Sequence, residues 1–255
     1  MNFKSKLLLA LLATSSAAFA QTAPAAPASA IAYNVGVVSE YRYRGIAQTK
    51  GDPALQGGVD YTDASGFYLG AWGSSIKWIK DAADTSGTQA KGPIELDMYG
   101  GYKFEAGGLA YDLGYLRYQY QGNTYKDAGY VNANTDEAYV GVTAGPVTLK
   151  YSYALSNLFG NMNSKGSDYI DLSATFDLGN GFTLVPHVGH QKIKNSPAIS
   201  YTDYALTLNK DLGEGLSASV SAISTTGDKD AFIALSRTGY NAAKSAVVVG
   251  VKYSF

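Results

Sequence analysis

Residues 93–104 read PIELDMYGGYKF, and their alternation decides the fold. Ile94 and Leu96 alternate with Glu95 and Asp97, and successive side chains of an extended strand point to opposite faces. One face of this segment is therefore apolar and the other is charged. Segments of this kind, near the roughly ten residues of a tilted membrane strand, recur from residue 31 to the C-terminus. The pattern predicts an all-β protein.

The period-two segments predict 12 strands, an even number. They are Ile31–Arg44, Ala54–Thr62, Phe67–Ile76, Pro93–Phe104, Leu109–Tyr120, Thr135–Ala144, Val147–Leu155, Ser167–Leu178, Phe182–Ile193, Tyr201–Leu212, Leu216–Thr225 and Ser245–Phe255. The connections between them alternate in length. Those after even-numbered strands are tight and rich in glycine: TDASG, EAGG, GP, GNG and GEG.

The other connections are longer and polar, up to TGDKDAFIALSRTGYNAAK. Short turns at one end and long loops at the other are typical of a transmembrane, antiparallel, up-and-down β-barrel of the outer membrane. In such a barrel the turns and both termini are periplasmic and the long loops are extracellular. A soluble sandwich has no reason to sort its connections by end. The sequence therefore predicts a barrel in a Gram-negative outer membrane, in contact with its lipid.

The apolar face of each strand is fit for lipid, so the polar face must line the lumen of a closed barrel. The predicted pore-lining residues are Glu40, Arg42, Arg44, Asp60, Glu95, Asp97, Lys103, Asp112, Glu137, Lys150, Asp171, His187, Asp203 and Lys252. Aromatic residues concentrate near strand ends, as interfacial girdles require. The predicted turn-end girdle is Tyr33, Tyr61, Phe67, Phe104, Tyr111, Phe176 and Phe182, and the loop-end girdle is Tyr41, Tyr43, Tyr115, Tyr151 and Tyr153.

The N-terminal residues are typical of a secretory signal peptide. Two lysines precede a short apolar run, and small residues lead to a cleavage point after Ala20, while the run is too short for the ~20 residues of a membrane anchor. Residues 1–20 are thus predicted as signal peptide, 21–30 as an Ala/Pro-rich flexible leader, and 31–255 as the barrel. The chain has no cysteine, and its net charge of -1 without a run of like charges indicates no nucleic-acid partner.

The last segment, SAVVVGVKYSF, alternates to its end at Phe255. This strand resembles the signal by which the barrel-assembly machinery recognises its clients, which makes that machinery a predicted partner. A longer resemblance covers residues 34–75, with SEYRYRG, GDP, QG and GFY in order. This stretch resembles the opening of the TorF family of porin-like proteins, a conserved domain that long had no assigned function. The resemblance implies a barrel that passes small solutes, and it supplies neither a solute nor functional residues.

Enzymatic chemistry has little support in the sequence. The two histidines, His187 and His190, fall on opposite faces of one predicted strand, and no acid, serine and histidine combination stands out. Two histidines without cysteine argue against a transition-metal site, and NTDE at residues 134–137 is better explained as a solvated loop end than as a calcium site. We expect no catalytic residue, cofactor or metal. Pro186 removes a ladder donor within its strand and predicts a bulge there.

A barrel of 12 strands is about 24 Å across, which leaves at most roughly 10 Å of free width for small hydrophilic solutes. Residues 39–46, SEYRYRGI, put Arg42 and Arg44 on one strand face near the outer mouth, where two guanidiniums would favour anions. The alternative is that they pair with acids of neighbouring strands, Asp60 or Asp203 among them. The alternative function is a non-conducting barrel that binds a surface partner through its long loops. Nothing marks an obligate trimer, so a monomer is expected.

Overall fold

The structure is a computed structural model, and it describes residues 31–83 and 87–255. The predicted signal peptide and leader lie outside the described residues. The strands are β1 (Ile31–Val38), β2 (Arg42–Tyr43), β3 (Ile46–Ala47), β4 (Ala54–Thr62), β5 (Phe67–Ser75), β6 (Ile94–Ala106), β7 (Leu109–Gln121), β8 (Thr135–Ala144), β9 (Val147–Ala154), β10 (Asp168–Ala174), β11 (Phe176–Gly179), β12 (Phe182–Lys192), β13 (Tyr201–Gly213), β14 (Leu216–Thr225) and β15 (Ala246–Ser254).

All strands except β2 and β3 form one closed antiparallel sheet. Each wall strand pairs with the next one along the chain, and β1 pairs with β15, with Asn34 opposite Ser254 and Val38 opposite Gly250. Strands β10 and β11 are successive parts of one wall strand, because both pair with β12. The wall is therefore a transmembrane up-and-down barrel of twelve strands, which confirms the predicted fold class.

Tight turns join the wall strands at one end of the barrel, called here the turn end. Asn180 and Gly181 both have positive φ, 51° and 76°, and join β11 to β12. This left-handed pair matches the strand twist in a two-residue hairpin, which is why the sequence places Asn-Gly there. The opposite end, called the loop end, carries the long connections 39–53, 76–93, 122–134, 155–167, 193–200 and 226–245. The predicted alternation of turns and loops is confirmed.

The outer surface of the wall is apolar. Among its exposed side chains are Leu55, Leu69, Val247 and Val249, each exposed by more than half. The predicted turn-end girdle is outward, and its rings stack across strands, with Phe104 and Tyr111 centroids 5.0 Å apart. An apolar outer band with aromatic rims is what lipid contact requires of a closed barrel.

Pro186 interrupts the ladder without shifting it. Ser173 pairs with His187 and Phe176 pairs with Leu184, so the register of the two strands is the same on both sides of the proline. The expected bulge is therefore wrong. The missing N–H of Pro186 leaves a gap in the pairing instead, and this gap separates β10 from β11 at Thr175.

The first wall strand is shorter than predicted. It ends at Val38 instead of Arg44, because Ser39 turns the chain inward. Residues 39–47, called here the lumenal hairpin, contain β2 and β3, which pair with each other and not with the wall. A two-residue strand pair of this size is not stable alone, so its position depends on side-chain contacts.

The loops at the loop end are tied together above the hairpin. The buried carboxylate of Asp81 accepts hydrogen bonds from Lys50 Nζ at 2.7 Å and from Thr238 Oγ1 at 2.8 Å. These three residues come from three different loops. The last loop contains the short helix α1 (Lys229–Ala234), capped by Asp228, whose carboxylate accepts from the Ala231 N–H at 2.7 Å.

Candidate functional site: a hairpin across the barrel lumen

The lumenal hairpin turns at Arg44 and Gly45. Both have positive φ, 46° and 77°, as a two-residue turn between β2 and β3 needs. Gly45 is required for a second reason, since a Cβ there would lie 2.7 Å from Asp203 Cβ and 2.7 Å from Thr225 Cγ2. The turn therefore rests against the wall on the side of β13 and β14, opposite the side where the tyrosines lie.

Tyr41 and Tyr43 point into the lumen, so their predicted place in the loop-end girdle is wrong. They are 2% and 8% exposed. The Tyr41 ring lies edge-on to Trp72 at 5.5 Å, and its hydroxyl donates to Glu95 at 3.2 Å. The Tyr43 hydroxyl is hydrogen-bonded to the hydroxyl of Tyr118 on β7. Both rings thus pack against the inner wall formed by β5 to β7, because the hairpin lies inside the barrel and has no lipid-facing side.

Arg44 makes the strongest contact between the hairpin and the wall. Its Nη1 and Nη2 donate to the two carboxylate oxygens of Glu137 at 3.0 and 2.7 Å, and Nη1 also donates to Gln191 Oε1 at 2.7 Å. The guanidinium lies 4.2 Å from the centroid of the Tyr169 ring. Arg44 is 6% exposed and Glu137 2%, so this is a buried bidentate ion pair.

Arg42 holds the hairpin to the last loop. Its Nε donates to Glu40 at 2.8 Å, and its Nη1 donates to the carbonyl oxygens of Gly45 at 2.9 Å and of Lys244 at 2.6 Å. Glu40 accepts a further hydrogen bond from the Tyr240 hydroxyl at 2.8 Å. Burial, together with this bond to Glu40, raises the pKa of Tyr240 above its ordinary value. Both arginines are therefore paired, as the alternative reading of SEYRYRGI held, but with Glu40 and Glu137 and not with Asp60 or Asp203.

A group of buried acids lines the lumen around the hairpin. Glu95 and Asp97 lie on the inner face of β6 and are 1% and 2% exposed, and Asp203 on β13 is 1% exposed. Tyr169 donates to Asp203 at 2.9 Å. One oxygen each of Glu95 and Asp97 has no hydrogen-bond partner among residues 31–83 and 87–255. Together with Glu137 on β8, these carboxylates are called here the acidic ring. Three of the four lie on β6 and β8, and Asp203 lies across the lumen on β13.

The remaining predicted pore-lining residues lie in the lumen below this ring. His187 Nε2 contacts the carboxylate of Asp171, and both side chains are about one-fifth exposed. Closer to the turn end lie Asp60, Lys103, Asp112, Lys150 and Lys252, all of which are partly exposed. Asp60 accepts from Tyr99 at 2.6 Å and Asp112 from Tyr68 at 2.6 Å. The structure thus places all the predicted liners inside the barrel, although Glu40, Arg42 and Arg44 belong to the hairpin and not to the wall.

Sequence reasoning missed the tyrosines that line the lumen over glycines of the wall. Tyr139 lies flat over Gly114, where a Cβ would come within 2.3 Å of its ring, and the two residues are directly paired across the ladder. Tyr99 lies over Gly70 and Tyr68 over Gly101 in the same way. The available signal was a tyrosine opposite a glycine on the polar face of adjacent strands, because the missing side chain makes room for the ring.

Among the described residues, no group of three or more His, Asp or Glu side chains is arranged to hold a metal ion. In the same ranges, no helix is long and apolar enough to cross a membrane.

The chain belongs to a family described as bacterial protein of unknown function (Gcw_chp), whose model matches residues 21–255. A comparison with curated proteins gives no match. The TorF name inferred from residues 34–75 stays a prediction, since the matching family model bears another name.

Two solved structures with a similar fold are a KdgM porin and a NanC porin. The KdgM porin has a TM-score of 0.54 at 10% identity, covering 88% of this chain and 98% of that one. The NanC porin has a TM-score of 0.52 at 11% identity, covering 88% and 99%. A second KdgM structure, described as a complex with disordered oligogalacturonate, has a TM-score of 0.52 at 10% identity, covering 88% and 98%. At these identities the likeness shows the fold alone, which is that of outer-membrane porins.

Proposed function

We propose that this member of the Gcw_chp family is an outer-membrane channel of the porin type, which passes small hydrophilic solutes by diffusion. The observation that carries the proposal is the polarity of the barrel, which is apolar outside and charged inside. Lys103, Lys150 and Lys252, with Asp60 and Asp112, remain partly exposed in the turn-end half. Charges on an inner wall are costly unless water reaches them, so their partial exposure supports a water-filled lumen in this half.

The remaining parts of the proposal follow from the same surfaces. The barrel would lie in the outer membrane of a Gram-negative bacterium as a monomer, with both termini and the turns periplasmic. Phe255, 64% exposed beside the ring of Tyr33, would serve the barrel-assembly machinery as its recognition residue. An anion preference at the outer mouth would require Arg42 and Arg44 to leave their carboxylate partners. No enzymatic step is proposed.

One observation favours the alternative, a non-conducting barrel that acts through its loops. The lumenal hairpin fills the lumen at the loop end, where Tyr41, Arg42 and Tyr118 are at most 2% exposed. A barrel filled at one level does not conduct while it stays filled. The two readings differ in whether the filling is permanent.

Uptake into proteoliposomes tests the proposed channel. Liposomes that contain the protein are offered small sugars, amino acids and carboxylic acids of graded size. A heat-dependent shift in gel mobility verifies beforehand that the barrel is folded. We expect slow, size-limited uptake, because brief openings suffice over minutes. Uptake no faster than in protein-free liposomes, also after removal of the lumenal hairpin, would favour the loop-mediated interaction role.

A further inference from the structure

The lumenal hairpin crosses the whole barrel near the loop end. Tyr41 contacts β5 and β6, Tyr43 contacts β7, and Arg44 contacts β8 and β12. Gly45 lies against Asp203 on β13. The hairpin therefore leaves β1 on one side of the lumen and contacts wall strands from β5 to β8 and at β12 and β13.

The described residues at the level of the hairpin leave little surface exposed. The hairpin side chains from Glu40 to Arg44 are at most 8% exposed. The wall side chains that meet them, Glu95, Glu137 and Asp203, are at most 2% exposed. The small solutes that porins pass are larger than a water molecule, so they cannot cross this layer while the hairpin is seated.

The contacts that seat the hairpin can be exchanged for contacts with water. Strands β2 and β3 share no backbone ladder with the wall, so withdrawal breaks no sheet. The wall contacts of Arg44 and of the Tyr41 and Tyr43 hydroxyls are mainly hydrogen bonds and an ion pair. Polar groups of this kind are solvated on exposure, unlike the side chains of an apolar core. The rings of Tyr41 and Tyr43 also pack in the buried apolar cluster that contains Tyr118. The hairpin is therefore seated by exchangeable polar contacts and by aromatic packing together.

The ring of four carboxylates gives withdrawal a consequence for charge. While the hairpin is seated, Arg44 neutralises Glu137 and lies close to Asp203. Without the hairpin, Glu95, Asp97, Glu137 and Asp203 would face water together at the mouth. A ring of acids at a constriction attracts cations and repels anions.

We infer that the lumenal hairpin, residues 39–47, is the gate of this channel, held closed by the Arg44–Glu137 ion pair, and that its withdrawal opens a mouth that favours cations. The inference rests on the proposed channel function. It assigns to the first loop a role in the regulation of that function and to the acidic ring a role in ion preference.

A shortened first loop tests the gate. Val38 and Ala54 are directly paired across the ladder, so a two-residue Asn-Gly turn can replace residues 39–53 and keep the pairing of β1 with β4. The variant and the natural chain are compared in planar bilayers after heat-modifiable mobility has certified both barrels. We expect the conductance of the shortened form to exceed that of the natural chain by about tenfold or more, with reversal potentials that favour potassium over chloride.

Three outcomes are informative. Equal conductance of the two forms would overturn the gate and leave the channel function standing. Conductance in neither form would overturn the channel function and the gate with it. A larger conductance that favours chloride would overturn the acidic mouth. If the shortened chain does not fold, Glu137→Gln in the full chain takes its place, with the expectation of more frequent openings and the same refuting results.

Discussion

Replacing Glu137 by glutamine removes the charge that holds Arg44 and leaves the size of the side chain unchanged. Glutamine can still accept one hydrogen bond from the guanidinium, but it cannot neutralise it. In Glu137→Gln, Arg44 would stay buried beside Gln191 and the Tyr169 ring without a charged partner of its own. Because the hairpin can leave the lumen, the expected response is displacement of the hairpin and not unfolding of the barrel.

The magnitude follows from the burial of the pair. Removing one partner of a buried ion pair typically costs about 3–5 kcal/mol. Gln191 and the retained amide offset part of this, so we take about 3 kcal/mol as the change in the free energy of seating the hairpin. Since 1.4 kcal/mol is a factor of ten, the ratio of displaced to seated hairpin should rise about 100-fold.

Cysteine labelling measures this ratio, because the natural chain has no cysteine. Ala47 ends the hairpin and is 1% exposed, so a cysteine introduced by Ala47→Cys reacts with a polar maleimide only after displacement. The labelling rate of Ala47→Cys is compared with that of Ala47→Cys combined with Glu137→Gln, in proteoliposomes at neutral pH. We expect the rate to rise by about two orders of magnitude.

The neighbouring residue provides a matched control. Asp136 lies on the outer face of the same strand and pairs with Arg117 at 2.9 Å, and both side chains are substantially exposed. An exposed pair contributes about 0–1 kcal/mol, so Asp136→Asn should leave the labelling rate within a few-fold of its starting value. The reasoning is refuted if Glu137→Gln labels no faster than Asp136→Asn.

Three further changes have defined outcomes. Gly45→Ala adds a Cβ in a left-handed turn against the wall, at a cost of about 1–2 kcal/mol, and should raise labelling of the cysteine at position 47 about tenfold; an unchanged rate would contradict the close fit. Gly114→Ala brings a Cβ to 2.3 Å from the Tyr139 ring and should destabilise the barrel by about 1–3 kcal/mol, so that it unfolds at a lower temperature when followed by its gel mobility. Gly141→Ala, with its nearest contact at 3.6 Å, should leave this temperature unchanged. Tyr240→Phe removes one hydrogen bond and should lower the free energy of unfolding by about 1 kcal/mol. Since burial raises the pKa of Tyr240 above 10.0, this difference from the natural chain should persist below pH 10 and shrink as the pH rises through the elevated pKa. A difference that grows with pH would refute the expectation.

The wall could be predicted from the sequence because each wall strand faces two solvents. Residues such as Met98 and Leu172 meet lipid while Asp97 and Asp171 meet the lumen, and the alternation records that difference. The turns were also readable, since Asn180-Gly181 needs positive φ at both positions. Strand bounds then follow to within one or two residues for most of the wall.

The lumenal hairpin could not be predicted, because its side chains alternate with the same period as those of a wall strand but for a different reason. In SEYRYRG both faces of the segment are inside the barrel. The tyrosines face one part of the protein and the arginines face another, whereas the two faces of a wall strand meet lipid and water. Tyr43 packs against Tyr118 on the inner wall, while Arg42 binds carbonyl groups of the last loop. Alternation alone cannot distinguish these cases. The Arg44-Gly45 turn was hidden, because arginine seldom adopts the positive φ seen here.

Acidic and basic side chains of the lumen are distributed unevenly along the barrel. The acids Glu95, Glu137 and Asp203 lie near the loop end, whereas Lys103 and Lys252 lie near the turn end. Arg44 of the first loop supplies the cation that pairs with Glu137. A wall that carries unbalanced buried acids is costly unless another segment supplies the opposite charge. Arg44 is therefore matched in charge to Glu137, and breaking the pair that seats the hairpin exposes Glu137 together with the other acids of the mouth.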